Sequence, residues 1–392
     1  MSRLVRGMIE GPNSRLLSQL PSSICLYIHV PFCSHFCPYC AFSKATWRED
    51  LELAYVTALC EELSGFERLG LGVKTVFFGG GTPSMLSPAS ILAIMGQVRR
   101  CFDDSELTEI TFEANPESVS RPFLDAVSEA GVHRLSLGVQ SFVPEELSVL
   151  GRVHSVDTVL EALALLGQYP ALAINIDLMF GIQGASIKAI QYSLDQLASY
   201  DPGHVSVYGL SIEPNTVFAQ RSEPVASEQV SFEIYERVIQ VLTGAGYRHY
   251  EVSAFAKPGQ ECRHNLAYWH FDSFLGVGPS ADSFLLGARF SQCSSLKTYL
   301  KDPTSPFFLT PLTPLSDTHY RTEYLLANLR VLEGFSLDQY QHRFGHSLQD
   351  DYPHVLDRLV LEGLIEYDSR RLRFTKKGIY LHNEVLMAFI EA

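Results

Sequence analysis

Between residues 24 and 255 the chain alternates short apolar runs, rich in β-branched residues, with longer segments of helical periodicity. The apolar runs predict strands at Ile24–Val30, Thr75–Phe78, Glu109–Ala114, His133–Val139, Ala171–Met179 and His204–Leu210. The periodic segments predict helices at Leu51–Arg68, Pro88–Cys101, Arg121–Ala130, Val156–Gly167, Ile187–Tyr200 and Glu228–Ala245. Ser120 and Ser155 stand where a side chain would cap the start of a helix.

The predicted strands are apolar almost throughout, which is typical of a parallel sheet covered by helices. Six βα units are too few to close an eight-stranded barrel. We therefore expect an α/β fold with an open, curved partial (β/α)6 barrel. Ligands of such folds lie at the carboxyl ends of the strands, so the functional residues are expected at that edge.

The pattern changes after residue 255. Residues 256–310 are rich in Gly, Pro, Ser and aromatic residues without a clear period, and Pro303, Pro306, Pro311 and Pro314 indicate a linker. Helices near 318–332, 336–343 and 350–362, strands at Leu364–Tyr367 and Arg371–Phe374 and a last helix follow, an order that resembles a small winged-helix-like α+β domain. The predicted divisions are an N-terminal extension (1–22), a barrel core (23–255), an extension with linker (256–316) and a C-terminal domain (317–392).

Composition and charge narrow the range of possible functions. With 46% hydrophobic and 19% charged residues, the chain has enough apolar side chains to form a large hydrophobic core. Its formal charge of −14 makes nucleic acid a weak candidate partner, because a protein that holds a phosphate backbone needs a basic surface. A basic cluster near the C-terminus fits a solvated hairpin and helix start better than a binding surface; it comprises Arg370, Arg371, Arg373, Lys376 and Lys377.

The sequence shows no pattern typical of a membrane-spanning segment or of a secretory signal peptide. No apolar run reaches the roughly 18 residues that indicate a membrane span. The segment Met1–Leu20 contains Arg residues but no continuous apolar stretch of the kind found in a signal peptide. We therefore predict a cytoplasmic protein without a transmembrane segment.

Three of the eight cysteines, Cys33, Cys37 and Cys40, lie within eight residues on the loop after the first predicted strand. Their C-x3-C-x2-C spacing can bind three irons of a [4Fe–4S] cubane and leave the fourth open. An open iron can chelate S-adenosylmethionine (SAM), whose one-electron cleavage gives a 5′-deoxyadenosyl radical. The alternative is a zinc site, but structural zinc takes four ligands, usually in two spaced pairs, and His35 between the cysteines would strain such a site.

Polar residues recur where the predicted strands end. A glycine-rich loop, Gly79-Gly80-Gly81-Thr82-Pro83, follows one strand and allows a close approach of its backbone to a ligand. Glu113, Gln140, Asp177 and Ser211 lie at or just beyond the ends of four others. A plain tight turn or a helix cap explains any one of them, so their recurrence at one edge is the stronger indication of a ligand site.

Several long stretches carry a resemblance to a known family: LYIHVPFCSHFCPYC, TVFFGGGTPSML, FEANPE, RLSLGVQSF, LGRVHS, DLMFGI and CRHNLAYW. From about Ser23 to at least Ala281 the chain resembles the oxygen-independent coproporphyrinogen III oxidase-like radical SAM proteins, most closely their heme-chaperone (HemW) branch. The resemblance implies an electron donor such as a flavodoxin or ferredoxin. It also implies SAM contacts from Tyr27, Tyr39, Gly80, Gly81, Thr82, Glu113, Gln140, Arg152, Asp177 and Ser211.

Two functions of different class follow from that resemblance: a chaperone that binds heme and delivers it to an acceptor protein, or the oxidase that decarboxylates coproporphyrinogen III. The oxidase has a further cysteine two residues after the third cluster cysteine, where this chain has Phe42, and a longer N-terminal segment than the 23 residues that precede the first predicted strand here. His264-Asn265-Leu266-Ala267-Tyr268-Trp269 matches the HNxxYW motif associated with heme binding in the chaperone branch. The chaperone is the favoured prediction. RNA modification is disfavoured by the acidic charge.

The residue that would bind heme iron is left open by the sequence. A neutral imidazole of His264 is a suitable ligand, with aromatic neighbours packing the macrocycle. Cys262 is a rival iron ligand. On residue chemistry alone, His264 also fits a structural histidine packed beside two aromatic rings.

Overall fold

The computed structural model describes residues 20–304 and 316–392. The strands are β1 (Ser23–Val30), β2 (Phe32–Cys33), β3 (Ala45–Thr46), β4 (Gly72–Gly80), β5 (Glu109–Ala114), β6 (Arg134–Gln140), β7 (Ala173–Phe180), β8 (His204–Gly209), β9 (Arg248–Glu251), β10 (Ala254–Ala256), β11 (Phe274–Val277), β12 (Asp282–Leu285), β13 (Ala288–Ser291), β14 (Phe335–Ser336), β15 (Ile365–Tyr367) and β16 (Arg371–Phe374).

The α-helices are α1 (Glu49–Ser64), α2 (Pro88–Cys101), α3 (Arg121–Glu129), α4 (Pro144–Val149), α5 (Val156–Leu166), α6 (Ile187–Ala198), α7 (Val217–Arg221), α8 (Glu228–Gly244), α9 (Arg263–Trp269), α10 (Leu296–Tyr299), α11 (Asp317–Asn328), α12 (Leu337–Phe344), α13 (Leu348–Asp351), α14 (Pro353–Leu361), α15 (Lys376–Tyr380) and α16 (His382–Ile390). Short 3-10 turns lie at Glu67–Leu69, Pro83–Met85 and Pro116–Ser118.

The centre of the molecule is the predicted partial barrel. β1, β4, β5, β6, β7 and β8 are hydrogen-bonded in that order and run parallel, which confirms the six predicted strands and their α/β arrangement. Their outward side chains pack on the helices in one continuous core. The hydroxyls of Ser120 and Ser155 cap α3 and α5 as predicted, each accepting a hydrogen bond from a backbone N–H. The predicted helix to Arg68 was too long, since α1 ends at Ser64 and Gly65 follows.

The region after residue 255 is more regular than the sequence pattern indicated. β11 pairs parallel with β1, on the side opposite β4, and β12 and β13 continue the sheet as antiparallel strands. At the other edge β10 and β9 add two antiparallel strands beyond β8, which makes the sheet eleven-stranded. Of the predicted linker prolines, Pro303 is described, whereas Pro306, Pro311 and Pro314 lie outside the described residues, as does most of the predicted extension 1–22.

The C-terminal part has its own core and a three-stranded sheet in the order β14-β16-β15, flanked by helices, as the winged-helix-like prediction requires. Three residues of the basic cluster are paired with acidic neighbours: Arg371 with Glu333, Arg373 with Glu366, and Lys376 with Glu236 of helix α8. These exposed ion pairs confirm the prediction of a solvated hairpin and helix start. Within residues 20–304 and 316–392, no helix has both the length and the apolarity needed to cross a membrane.

Candidate functional site

The loop that carries the three cysteines leaves the carboxyl end of β1. Its first residues form β2, which pairs with β3, so the loop is tied at both ends. A turn brings the N–H of Cys40 to the carbonyl oxygen of Cys37 at 3.2 Å. Cys33 is buried, whereas Cys37 and Cys40 are half-buried. Among the described residues no three His, Cys, Asp or Glu side chains converge on a single metal ion. A cubane does not require that convergence, since each cysteine binds its own iron.

Two of the three sulfurs receive hydrogen bonds from side chains of the barrel. Thr82 donates to Sγ of Cys33 at 3.7 Å, and Nη1 of Arg152 donates to Sγ of Cys37 at 3.4 Å. Burial raises the pKa of the Cys33 thiol, and the bond from Thr82 opposes that shift. Donors aimed at sulfur stabilise thiolate, the form in which cysteine binds iron. The residues present therefore fit a cluster held by Cys33, Cys37 and Cys40.

Arg152 joins the cysteine loop to the barrel. Its Nη2 donates to Oδ1 of Asn115 at 2.6 Å and to the carbonyl oxygen of Gly138 at 3.2 Å. Its Nε is buried and has no hydrogen-bond partner among the described residues. The predicted pairing with a SAM carboxylate would have to use this free Nε or displace one of the existing bonds. Asn115, which also donates to Thr82 at 3.2 Å, was missed by the sequence analysis, although it lies in the FEANPE stretch.

The glycine-rich loop packs against the cysteine loop. Gly81 N–H donates to the carbonyl oxygen of Val30 at 2.8 Å, and Thr82 N–H to that of Phe32 at 2.7 Å. A Cβ on Gly81 would lie 2.7 Å from the same Phe32 oxygen, closer than real Cβ atoms come. The close approach predicted for these glycines is therefore observed toward the protein's own backbone. It fixes the cysteine loop against the end of β4.

Two carboxyl groups face the barrel interior. Burial first, and then the charge of Asp177, raise the pKa of Glu113 to about 8. Burial also raises the pKa of Asp177, against hydrogen bonds donated by Ser136 at 2.9 Å and Asn175 at 2.8 Å. We call the group of Tyr27, Glu113 and Asp177 the carboxylate chamber. Its donor set fits a cation, because a nearby positive charge would relieve the repulsion between the two acids. SAM carries two positive charges, on its sulfonium and its ammonium group.

The other predicted SAM contacts lie in different surroundings. The hydroxyl of Tyr27 lies 3.2 Å from Nδ1 of His29, and the ring of Tyr39 packs 6.2 Å from that of Phe218. Gln140, the last residue of β6, has φ of 66°, a conformation that is uncommon outside glycine and concentrates at functional sites. Ser211 is exposed, two residues after the end of β8.

His264 lies deep in the structure. Helix α9 begins with Arg263, and the imidazole is 0% exposed. Its Nδ1 is 2.8 Å from Oγ1 of Thr75, its Nε2 is 2.8 Å from the hydroxyl of Tyr268, and its ring packs 5.0 Å from that of Phe77. Burial lowers the pKa of His264 to about 3, so the imidazole is neutral.

Cys262, the rival iron ligand, is also buried. Its Sγ lies 3.5 Å from Oε1 of Glu109, and burial raises the pKa of its thiol. The thiol is thus held in the core beside Glu109, away from solvent.

A cleft of about 660 Å³ lies between the cysteine loop and the extension, a size typical of small-molecule sites. We call it the aromatic cleft, because much of its wall consists of Tyr268, Trp269, Phe271, Phe274 and Phe284. Tyr27 and His29 of β1 line it from the barrel side, and Phe42 of the cysteine loop lines its mouth. The last two residues of the HNLAYW stretch thus face the cleft, whereas His264 stands behind Tyr268.

Comparison with known proteins agrees with this architecture. The radical SAM superfamily model matches residues 27–197, and the HemN C-terminal domain model matches residues 315–381. The chain is 39% identical to the heme chaperone HemW of Escherichia coli, over 93% of this chain and 97% of that protein. It is 34% identical to the heme chaperone HemW of Bacillus subtilis, over 93% and 98% of the two chains.

A solved structure shows the same fold. Coproporphyrinogen III oxidase (HemN) from Escherichia coli, a radical SAM enzyme, superposes with a TM-score of 0.81 over 97% of this chain and 94% of that one, at 23% identity. The cysteine loop, the six parallel strands and the identity to HemW over nearly the whole length lead to one assignment. The chain belongs to the radical SAM superfamily, whose members carry a [4Fe–4S] cluster and SAM, and within it to the HemW family.

Proposed function

We propose that this protein is a heme chaperone, which binds heme and delivers it to an acceptor protein. The observation that carries the proposal is the aromatic cleft, whose wall includes Tyr268 and Trp269 of the HNLAYW stretch. A flat, largely apolar macrocycle is the kind of ligand that such a wall of rings packs against. His264 belongs to this site through its hydrogen bond to Tyr268. The names of the HemW relatives agree with the proposal.

In this function, residues at the edge of the barrel bind the cluster and SAM. Cys33, Cys37 and Cys40 hold the cluster, and when bound the cluster supplies single electrons to SAM. Thr82 and Arg152 keep two of the thiolates charged and in place. SAM contacts come from the carboxylate chamber together with Tyr39, Gly80, Gly81, Thr82, Gln140, Arg152 and Ser211. A flavodoxin or ferredoxin would serve as electron donor in the cytoplasm.

The alternative, coproporphyrinogen III decarboxylation, is less favoured although the fold is that of the oxidase. Where the oxidase has its further cysteine, this chain has Phe42, which is 66% exposed and lines the mouth of the aromatic cleft. An exposed ring there adds apolar surface for a bound macrocycle. It offers no thiol for the substrate chemistry.

Parallel assays on anaerobically reconstituted protein test the proposal. We expect saturable heme binding and transfer of the bound heme to apomyoglobin as a probe acceptor. Coproporphyrinogen III should remain unchanged with SAM and a reductant, while the Escherichia coli oxidase converts it under the same conditions. Decarboxylation by this protein, or the absence of saturable heme binding, would contradict the chaperone function.

A further inference from the structure

Tyr268 and His264 form a hydrogen-bonded pair at the wall of the aromatic cleft. They are four residues apart on α9, which places them on one face of the helix. Tyr268 lines the cleft and its ring packs 4.6 Å from that of Phe274. His264 is fully buried on the other side of the phenol, 2.8 Å from its oxygen. The tyrosine is therefore the member of the pair that a ligand in the cleft meets.

The imidazole has no nitrogen left for iron. A neutral imidazole has one donor and one acceptor nitrogen. Nδ1 faces Oγ1 of Thr75 and Nε2 faces the hydroxyl of Tyr268, so both positions are occupied. Thr75 interacts in turn with the thiol of Cys25. In the assignment that satisfies all groups, Nδ1–H donates to Thr75 and Nε2 accepts the proton of Tyr268. To ligate iron through Nε2, His264 would have to lose its bond to Tyr268 and move out of the core.

The cleft has the chemistry of a tetrapyrrole site around Tyr268. Its wall combines the aromatic rings with polar side chains that include Asp272, Asp282 and Arg289, and a second cavity of about 600 Å³ shares Trp269, Arg289 and Ala327 with it. The guanidinium of Arg330 stacks 4.5 Å from the ring of Trp269. Nε1 of Trp269 and Nε of Arg330 are buried without a partner among the described residues. These free donors are suited to the carboxylates at the edge of a heme.

We propose that the phenolic oxygen of Tyr268 is the ligand of the heme iron, with His264 as its positioning partner. The inference rests on the proposed function and names the iron ligand of that site. When ferric heme binds, an Fe–O bond would form as the phenol O–H bond breaks, and the proton would leave to the solvent, because the buried imidazole of His264 stays neutral. No electron is transferred, and the iron keeps its ferric state. Tyrosinate is an established axial ligand of ferric heme in proteins.

His29 of the cleft wall also offers nitrogen atoms for this role. His29 lines the cleft, with Nδ1 3.2 Å from the hydroxyl of Tyr27 and Nε2 3.1 Å from the carbonyl oxygen of Ser43. It is only 4% exposed, and as with His264 both nitrogens are engaged. Coordination by His29 would break a bond that holds the cysteine loop against β1. That makes it a poorer ligand than Tyr268.

Ferric heme is titrated into the reconstituted full chain and followed by optical and resonance Raman spectroscopy. The wild type should show the ring vibrations of an iron-bound phenolate. Tyr268→Phe should lose that signature. His264→Gln, which keeps an acceptor near Tyr268, should retain the signature with affinity lowered by about 10–100-fold, as for partners of other metal ligands. Tyr320→Phe is the matched control, because this phenol lies behind Phe284, outside the cleft wall, and should change nothing.

The outcomes separate the two proposals. A wild type that binds heme without phenolate vibrations overturns Tyr268 as ligand and leaves the chaperone function standing, and the same holds if Tyr268→Phe keeps the wild-type spectrum. Loss of the heme spectrum in His264→Gln or His29→Gln alone would transfer the role to that histidine. A wild type that binds no heme overturns both proposals. If Tyr268→Phe loses its cluster absorbance through misfolding, the wild-type Raman spectrum still decides.

Discussion

The carboxylate chamber and the aromatic cleft meet at Tyr27, yet burial acts on them in opposite ways. In the chamber it raises the pKa of Glu113 to about 8, and the neighbouring Asp177 adds to the shift. Behind the cleft wall it lowers the pKa of His264 to about 3, and hydrogen bonds occupy both ring nitrogens. The chamber thus keeps acids whose charge a cation would restore, whereas the imidazole behind the cleft wall is neutral and has both nitrogens hydrogen-bonded. One barrel therefore offers a site for a small cation beside a site for a large apolar ligand.

The largest expected effect is on the [4Fe–4S] cluster that the cysteine loop would hold. Cys37→Ala should abolish the [4Fe–4S] cluster after anaerobic reconstitution, because one of three ligands is lost. Iron, sulfide and absorbance measure the result. Cys60→Ala, on helix α1 outside the cysteine loop, is the control and should keep its cluster. Stoichiometric zinc without iron or sulfide in the wild type would show that the site is not a cluster site. Heme binding in the cleft should survive Cys37→Ala if the two sites are separate.

The next effect tests whether the chamber binds SAM by charge. Asp177→Asn should weaken SAM binding by about one to two decades, since a charge-assisted hydrogen bond contributes roughly 1.5–3 kcal/mol. The cluster absorbance should be unchanged. Calorimetric titration of SAM into the reconstituted variant measures the loss, with the exposed Asp195→Asn on helix α6 as control. Equal affinities in Asp177→Asn and wild type would place SAM elsewhere.

The last effect concerns the free energy of unfolding. Because the folded pKa of Glu113 is raised to about 8, the folded protein without SAM keeps a proton that the unfolded chain releases. The wild type should therefore lose stability relative to Glu113→Gln as pH rises from about 4.5 to about 8, by at most about 1.4 kcal/mol per pH unit. Denaturant unfolding at several pH values measures this. A difference that does not change with pH would show that Glu113 is not held protonated. The same substitution should leave heme affinity unchanged.

Local patterns predicted the barrel well and the cleft poorly, for physical reasons. A strand such as Glu109–Ala114 is visible because its apolar run and the following capped helix are local signals. Helix α9 and strand β11 are short, and their stability comes from contacts far along the chain, such as the backbone of His264 on Glu109 and β11 on β1. The motif residues of the candidate site were predicted from the sequence. The partners Thr75 and Asn115 were missed, because only the folded chain brings them to His264 and Arg152.

The position of β1 between β4 and β11 has a consequence for the order of folding. Cys25 pairs with Thr75 on one side and with Phe274 on the other, so the second pairing is highly non-local. Pairing two segments that lie far apart in the sequence costs little extra free energy, but it slows folding. During synthesis, β1 has an open edge until residue 277 has left the ribosome. The cysteine loop is completed later still, by the bond from the hydroxyl of Ser43 to the carbonyl oxygen of Ser294. A nascent chain shorter than this has the three cysteines but lacks the bond from Ser43 to Ser294.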